Sequence, residues 1–133
     1  MKRLILILLF CLGTLIAYNQ DLKPKTLTTV GYSFSNELSV SIGGTYIKNV
    51  FVGLDHYRNL NTKLQSNYLN IGVHNDKAFV FIKYGVKTLP YNHSHINKID
   101  YGVEYLWMFD QKWCYGLAFT KLSGIQFKLG LTL

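Results

Sequence analysis

Apolar and polar residues alternate with a period of two through most of the chain beyond residue 25. The last ten residues, GIQFKLGLTL, alternate without a break, with Ile125, Phe127, Leu129, Leu131 and Leu133 on one side. Such alternation is typical of a β-strand with two unlike faces. Eight runs of this kind predict strands at about 26–34, 38–46, 50–57, 66–74, 78–88, 97–109, 113–121 and 124–133.

A recurring glycine accompanies these runs, and seven of the eight glycines have an apolar or aromatic neighbour on both sides. They are Gly31, Gly43, Gly53, Gly72, Gly85, Gly102, Gly116 and Gly130. All eight lie on the less apolar face of their predicted strand. The same face holds small polar residues and six charges, which are Asp55, Lys83, Lys87, Asp100, Glu104 and Lys128. Bulky residues on this face are exceptions, chiefly Phe51, Phe79, Phe81 and Leu106.

Two eight-stranded barrels fit this pattern, and they differ in which face is inside. In a soluble, secreted, lipocalin-like ligand carrier, the apolar face would line the interior. Glycine on a solvated strand face packs against nothing, and the many Trp, Tyr and Phe residues would overfill a narrow interior. In a membrane barrel the bulky face meets lipid, while small side chains and balanced charges fill the lumen. The pattern therefore favours an all-β, eight-stranded, antiparallel, up-and-down transmembrane barrel.

The N-terminus has a different pattern. MKRLILILLFCLGTLIA begins with Lys2 and Arg3, continues with an apolar run from Leu4 to Leu12, and ends in small residues at Ala17. This layout is typical of a cleavable signal peptide, and the run is shorter than the ~20 residues of a membrane-spanning helix. We predict a signal peptide at 1–17, with cleavage as late as residue 20, a short N-terminal segment at 18–25, and the barrel at 26–133.

The charge and the cysteine content of the chain argue against several classes of function. Loss of Lys2 and Arg3 would reduce the 14 Lys and Arg residues to 12, against 7 Asp and Glu, for a net charge of +5. Nucleic-acid binding would require a basic stripe on a water-exposed face, and the sequence predicts no such stripe. Cys114 would be the one cysteine left after cleavage, so neither an internal disulfide nor a cysteine metal site is expected. We predict no cofactor, no metal site and no catalytic residues.

The predicted links and pairings give the barrel two unlike ends. Short links are expected at Ile47–Asn49, Asn75–Asp76 and Asp110–Lys112, and long loops at about Arg58–Gln65 and Leu89–Ile96. Aromatic residues near the short links suggest an interfacial belt, namely Tyr46, Trp107, Phe109 and Trp113. Pairing Gly85 near Gly102 would put Lys83 beside Glu104 and Lys87 beside Asp100. Barrel shear could shift this register by one residue pair, and opposite charges would still be neighbours.

The chain thus resembles the small eight-stranded outer-membrane β-barrels of Gram-negative bacteria, over about 26–133. The closing strand resembles the C-terminal signal that the barrel-assembly machinery reads in that family. The matching positions are Phe127, Leu129, Leu131 and Leu133, with Leu133 in place of the commoner Phe. The resemblance implies a location in the outer membrane. It also implies contact with outer-membrane lipids and with the assembly machinery, and allows a partner membrane protein.

Function is less constrained than fold. An eight-stranded lumen is filled by side chains, so we expect a structural, adhesion or accessory protein rather than a pore. An alternative is a lipid-modifying enzyme, because outer-membrane lipid A deacylases use Ser, His and Glu on such a barrel. Here the predicted loop at YNHSHIN offers His93, Ser94 and His95, and Glu104 follows, although the spacing differs from that of the deacylases. The same histidines with His56 form a speculative loop site for a transition metal.

Overall fold

The computed structural model describes residues 25–133, which form eight β-strands. The predicted signal peptide and all but the last residue of the 18–25 segment lie outside the described residues. The strands are β1 (Thr26–Ser33), β2 (Glu37–Ile47), β3 (Val50–Asn59), β4 (Gln65–His74), β5 (Ala78–Tyr91), β6 (Ser94–Met108), β7 (Trp113–Thr120) and β8 (Gly124–Thr132). Between residues 25 and 133, no helix is long and apolar enough to cross a membrane.

The strands form one closed antiparallel barrel in chain order. Each strand pairs with its neighbour in sequence, and β8 returns to pair with β1, so that Val30 lies between Val40 and Leu129. Beyond β8, Leu133 and Thr26 exchange two backbone hydrogen bonds of 2.9 Å each. The prediction of an all-β, eight-stranded, up-and-down barrel is therefore confirmed.

The bulky apolar residues point outward. Along β8 the exposed fraction alternates, from 54% at Phe127 to 3% at Lys128. The other strands show the same alternation, and Ile42, Leu54, Tyr84, Val86 and Phe119 are all exposed. This is the opposite of the arrangement that a soluble ligand carrier with an apolar interior requires.

Two lumen glycines show why small residues line the inside. A Cβ atom on Gly72 would collide with the backbone carbonyl of Val80, and one on Gly116 with that of Tyr105. In both cases the obstacle is the backbone of the neighbouring strand, which cannot move aside as a flexible side chain can. The inward curvature of the sheet thus brings neighbouring strands too close for a side chain at these positions.

Side-chain hydrogen bonds define the tight links at one end of the barrel. The Asn75 carbonyl oxygen accepts bonds of 2.8 Å from the backbone N–H groups of Lys77 and Ala78. The Asp110 carboxylate does the same for Lys112 and Trp113, at 2.6 Å each. Hydrogen bonds from the N–H of Trp113 and then from that of Lys112 hold the pKa of Asp110 below its ordinary value. We call this end, with its links at 48–49, 75–77 and 109–112, the tight-turn end.

The opposite end differs from the prediction at two links. The segment expected to form a long loop at Leu89–Ile96 belongs almost wholly to β5 and β6, which pair as far as Tyr91 and Ser94. Asn92 and His93 alone make the turn, with φ of 36° and 64°, as two-residue hairpins require. Link 3/4 is also shorter than expected, at 60–64. The β5–β6 extension contains Pro90 and several polar residues, and an exposed strand tolerates both because its outer edge carries no ladder bond.

The glycine collisions give a test of the fold. We expect Gly72→Ala to lower the free energy of unfolding by about 1–3 kcal/mol, because the added methyl group meets backbone. Gly44→Ala is the matched control, since a Cβ atom there would meet only the Lys25 carbonyl oxygen, at 3.8 Å. Urea unfolding of both variants in detergent micelles measures the difference. Equal effects would contradict the assignment of Gly72 to a crowded lumen.

Candidate functional site

Four buried charges from four strands meet at the centre of the lumen. Asp55 lies on β3, Lys83 on β5, Glu104 on β6 and Lys128 on β8. Lys83 Nζ contacts Asp55 Oδ2, and lies 2.6 Å from Glu104 Oε2. Lys128 Nζ lies 2.7 Å from Asp55 Oδ2 and 3.8 Å from Glu104 Oε2. We call these residues the central ion cluster.

The central ion cluster is neutral as a whole, with two carboxylates and two ammonium groups. Each ammonium also faces an aromatic ring, because Lys83 Nζ lies 5.5 Å and Lys128 Nζ 5.2 Å from the centre of the Tyr57 ring. Such contacts add to the stabilisation of a desolvated cation. A buried charge without a partner is very unfavourable, so the cluster is a unit whose members depend on one another.

A second network connects the lumen to the link between β7 and β8. Lys87 Nζ lies 2.6 Å from Glu37 Oε1 and donates to the Ser123 hydroxyl at 2.6 Å. Asp100 accepts hydrogen bonds from the Tyr68 hydroxyl at 2.8 Å and from the Leu122 N–H at 3.0 Å. Lys87 on β5 and Asp100 on β6 therefore hold the link at residues 121–123 over the lumen.

The predicted pairing of Lys87 with Asp100 is wrong. The structure places Gly85 opposite Asp100 and Lys83 opposite Gly102, one residue pair away from the predicted register. Lys83 and Glu104 are nevertheless in contact, because a lysine side chain is long enough to reach across. Lys87 instead pairs with Glu37, which sequence reasoning missed because it began β2 at residue 38, one position too late.

Bulky residues that broke the predicted face pattern form a cluster at the tight-turn end. Phe51 lies 5.5 Å from Phe79 and 5.3 Å from Phe81, measured between ring centres. Leu27, Leu106 and Cys114 complete the contact, and all six residues are buried. Lys25 Nζ lies over the Phe79 ring at 5.9 Å. This apolar plug occupies the lumen below the central ion cluster, and the four Phe and Leu exceptions in the sequence were its signal.

The speculative loop site is not assembled in the structure. His56 lies on the outer face of β3, and its Nδ1 is 2.8 Å from Asn67 Oδ1. His93 and His95 lie at the tip of the β5–β6 hairpin. Ser94 and Glu104 occupy one strand ten residues apart, or roughly 33 Å at the usual rise per residue. Among residues 25–133, no group of three or more His, Cys, Asp or Glu side chains is arranged to hold a metal ion.

Comparisons with known proteins support the barrel fold, but they do not identify a sequence family. No protein-family model matches the chain, and no curated protein matches it in sequence. A designed transmembrane β-barrel is similar in structure, with a TM-score of 0.52, 19% identity, and coverage of 86% of this chain and 97% of the other. The N-terminal β-barrel domain of Pseudomonas aeruginosa OprF is also similar, with a TM-score of 0.52, 11% identity, and coverage of 83% and 96%. The likeness establishes the fold, which is that of transmembrane barrels.

The central ion cluster predicts strong coupling between its members. We expect Glu104→Gln to lower the free energy of unfolding by about 3–5 kcal/mol, because it leaves a buried positive charge in excess. Lys83→Met should also destabilise, and the double variant should recover part of the loss because charge balance returns. Urea unfolding of the singles and the double measures this coupling.

An exposed ion pair supplies the control. Lys25 and Asp76 lie 3.5 Å apart, and the Asp76 side chain is 79% exposed. Asp76→Asn should therefore cost only ~0–1 kcal/mol. Additive effects of the two lumen substitutions, or a Glu104→Gln variant as stable as Asp76→Asn, would contradict the enclosed cluster.

Proposed function

We propose that the protein is an integral outer-membrane β-barrel with a filled lumen, which acts as a structural, adhesion or accessory protein rather than as a pore. The observation that carries the proposal is the exposed apolar outer face of a closed barrel. Ile42 is 61% exposed and Leu129 49%, and similar residues surround the barrel. A soluble protein rarely exposes so much contiguous apolar surface, whereas lipid is a suitable environment for it.

The aromatic residues support a membrane position. Trp107 lies 4.4 Å from Tyr105 and 6.0 Å from Tyr115, measured between ring centres, on the outer face near the tight-turn end. Phe109 lies 6.0 Å from Tyr115 at the same end. Tyr and Trp favour the boundary between hydrocarbon and headgroups, where one edge of the ring is wet. The tight-turn end then faces the periplasm, as short links do in bacterial barrels.

The closing strand supports delivery by the barrel-assembly machinery. The outward row Phe127, Leu129 and Leu131 lies on β8, the strand that pairs with β1, and Leu133 extends the row just beyond it. A strand that completes the barrel is a suitable recognition signal, because it is unpaired until the barrel closes. Together with the predicted signal peptide, it supports an outer-membrane location in a Gram-negative cell.

The contents of the lumen argue against diffusion of solutes. All eight strands contribute buried side chains, which include the apolar plug, the central ion cluster, and the Tyr57 and Tyr68 rings 4.7 Å apart. The paired extension of β5 and β6 is exposed from residue 90 to residue 99, and is available to an extracellular partner. These features favour an adhesion or accessory role, with outer-membrane lipids and a membrane protein as partners.

Fractionation and conductance test the proposal. The mature protein should remain in the outer-membrane fraction through a carbonate wash, and should migrate differently on a gel with and without heating, since closed barrels resist cold detergent. In planar bilayers it should give no steady conductance. Recovery as a soluble periplasmic protein would contradict the membrane assignment, and a stable open channel would contradict the filled lumen.

A further inference from the structure

The hairpin that extends β5 and β6 beyond the barrel has one edge without a partner strand. β7 pairs with β6 only from Gly102 to Met108, and one further backbone bond, from the Lys121 N–H to the Tyr101 carbonyl oxygen, measures 3.0 Å. At residues 94–99, β5 pairs with one side of β6, and no strand among residues 25–133 adjoins the other side. We call that other side of residues 94–99 the open edge.

The open edge presents a regular row of backbone donors and acceptors. Successive residues of a strand direct their backbone groups to opposite sides, and Tyr101 directs its carbonyl group towards β7. By this alternation His95, Asn97 and Ile99 direct their N–H and C=O groups to the open edge, while the residues between them bond to β5. All six residues of the open edge are exposed. An exposed row of this kind is a template on which another strand can pair.

Buried contacts keep the edge open. The chain turns away from β6 after Thr120, because Lys87 and Asp100 hold the next residues over the lumen. Lys87 Nζ donates to the Ser123 hydroxyl at 2.6 Å, and the Leu122 N–H donates to the Asp100 carboxylate at 3.0 Å. These contacts prevent β7 from following β6 outward. The open edge is therefore a built feature of the barrel and not a frayed strand end.

The opposite edge of the same hairpin is blocked. β4 pairs with β5 as far as Lys87, and the Thr88 N–H donates to the Ser66 hydroxyl at 3.3 Å. The next residue of β5 that faces this side is Pro90, which has no N–H group to offer. Proline on an edge strand commonly prevents the addition of another strand. Since only the β5 edge carries this protection, the open edge of β6 is the one available for pairing.

One cation on the open edge lacks an anionic partner. Lys98 lies directly opposite Lys87 in the pairing of β5 with β6, and like charges in such a pair are unfavourable. Lys87 has Glu37 at 2.6 Å, whereas no carboxylate among residues 25–133 forms an ion pair with Lys98. A carboxylate on a strand added to the open edge would lie on the free side of Lys98.

The other charges at this end of the barrel favour the same partner. The exposed charged side chains there are all cationic, and they are Arg58, Lys63, Lys98 and Lys121. The acidic residues at the same end, Glu37 and Asp100, are buried in the lumen. Asp76 and Asp110, the exposed carboxylates within residues 25–133, lie at the tight-turn end. The surface around the open edge therefore attracts an acidic segment and repels a basic one.

We propose that the open edge of β6 binds an extended, acidic segment of a partner protein by strand addition, with a carboxylate of that segment beside Lys98. The backbone groups of His95, Asn97 and Ile99 supply the ladder bonds, as in other sheets that bind an extended peptide at an edge. Lys98 bonds to β5, so the residue opposite it on the open side belongs to a non-hydrogen-bonded pair, in which side chains lie closest.

The inference deepens the proposed adhesion or accessory role and rests on it. It names the class of partner and the strand that binds it. A second copy of the chain fits less well, because its own open edge carries Lys98 and no acidic residue.

Amide hydrogen exchange measured by NMR tests the open edge, with the mature barrel folded in detergent micelles. In the protein alone, the amides of His95, Asn97 and Ile99 should exchange rapidly, and those of Ile96 and Lys98 slowly. The probe is a short capped peptide of Thr and Val with one central Glu, and a matched probe has Lys in place of Glu. The Glu probe should slow exchange at the three edge amides. It should bind roughly fivefold more tightly than the Lys probe, because an attractive cross-strand pair replaces a repulsive one.

Variants separate the edge from general electrostatic attraction. Lys98→Glu should reverse the preference, so that the Lys probe binds more tightly. Lys63→Glu is the matched control, since Lys63 lies in the 60–64 link, where its Nζ donates to the Leu60 carbonyl oxygen, and it should leave the order of the two probes unchanged. Asn97→Pro removes an N–H group from the middle of the open edge without removing a bond to β5, and should abolish binding. Heat-modifiable migration shows that each variant is folded.

A modified probe tests the ladder bonds without any change in the protein. The Glu probe methylated on alternate backbone nitrogens keeps its charge but loses its donors on one side, and it should not bind the wild type.

Four outcomes would overturn the proposal. They are edge amides that the Glu probe does not protect, equal binding of the Glu and Lys probes, equal effects of Lys98→Glu and Lys63→Glu, and a wild-type dimer that protects the edge amides without a probe. A chain that does not insert into membranes overturns the proposed function. An inserted barrel whose edge amides do not respond to the Glu probe overturns this inference alone.

Discussion

The hydrogen bonds between β1 and β8 join the two ends of the sheet, and the other features of the molecule depend on that closure. An open sheet in a bilayer would leave a row of backbone N–H and C=O groups without partners, which hydrocarbon cannot supply. Here β8 pairs with β1 from Leu27 to Ser33, and Leu133 continues the pairing by one residue. Closure separates an inside from an outside, so each residue of every strand must suit one of two very different surroundings.

The inside is narrow, and its contents vary along the barrel. At the tight-turn end the lumen is apolar, around Phe51, Phe79 and Phe81. At the centre it is charged but neutral in sum, and towards the other end Lys87 and Asp100 hold the link between β7 and β8. Because the four buried charges depend on one another, the central ion cluster ties β3, β5, β6 and β8 to one geometry. The side chains in the lumen therefore fix the arrangement of the strands, and they fill the space through which a solute would pass.

The alternation of side chains predicted most of the fold, and the eight strands begin and end within three residues of their predicted bounds. The alternation of side chains could not predict the register between β5 and β6, because a slip by two residues keeps every side chain on its own face. Sequence reasoning therefore paired Gly85 with Gly102, whereas the structure pairs Gly85 with Asp100. The sequence pattern also predicts a loop in place of the β5–β6 extension, because polar residues on a strand that is exposed on both faces show no alternation.

The candidate sites were less predictable than the fold. The alternation of side chains predicted which charges face the lumen. It could not predict their partners, because these depend on side-chain length and on barrel shear, which sequence alone does not give. Glu37 was missed at a strand end, where boundaries are least certain. The speculative metal site groups His56 with His93 and His95, yet His56 lies on the outer face of β3 beside Asn67. Only the pairing of β3 with β4 shows that these two polar groups meet on an otherwise apolar surface.

Depth-dependent quenching of the two native tryptophans tests the central claim, that the apolar face meets lipid, most directly. Trp107 and Trp113 both point outward near the tight-turn end, and each is 42% exposed. With the protein folded into vesicles, lipids brominated on their acyl chains should strongly quench the tryptophan fluorescence, and acrylamide in the water should quench it weakly. Strong quenching by acrylamide together with no effect of the brominated lipids would show that this face is in water, and would contradict the account.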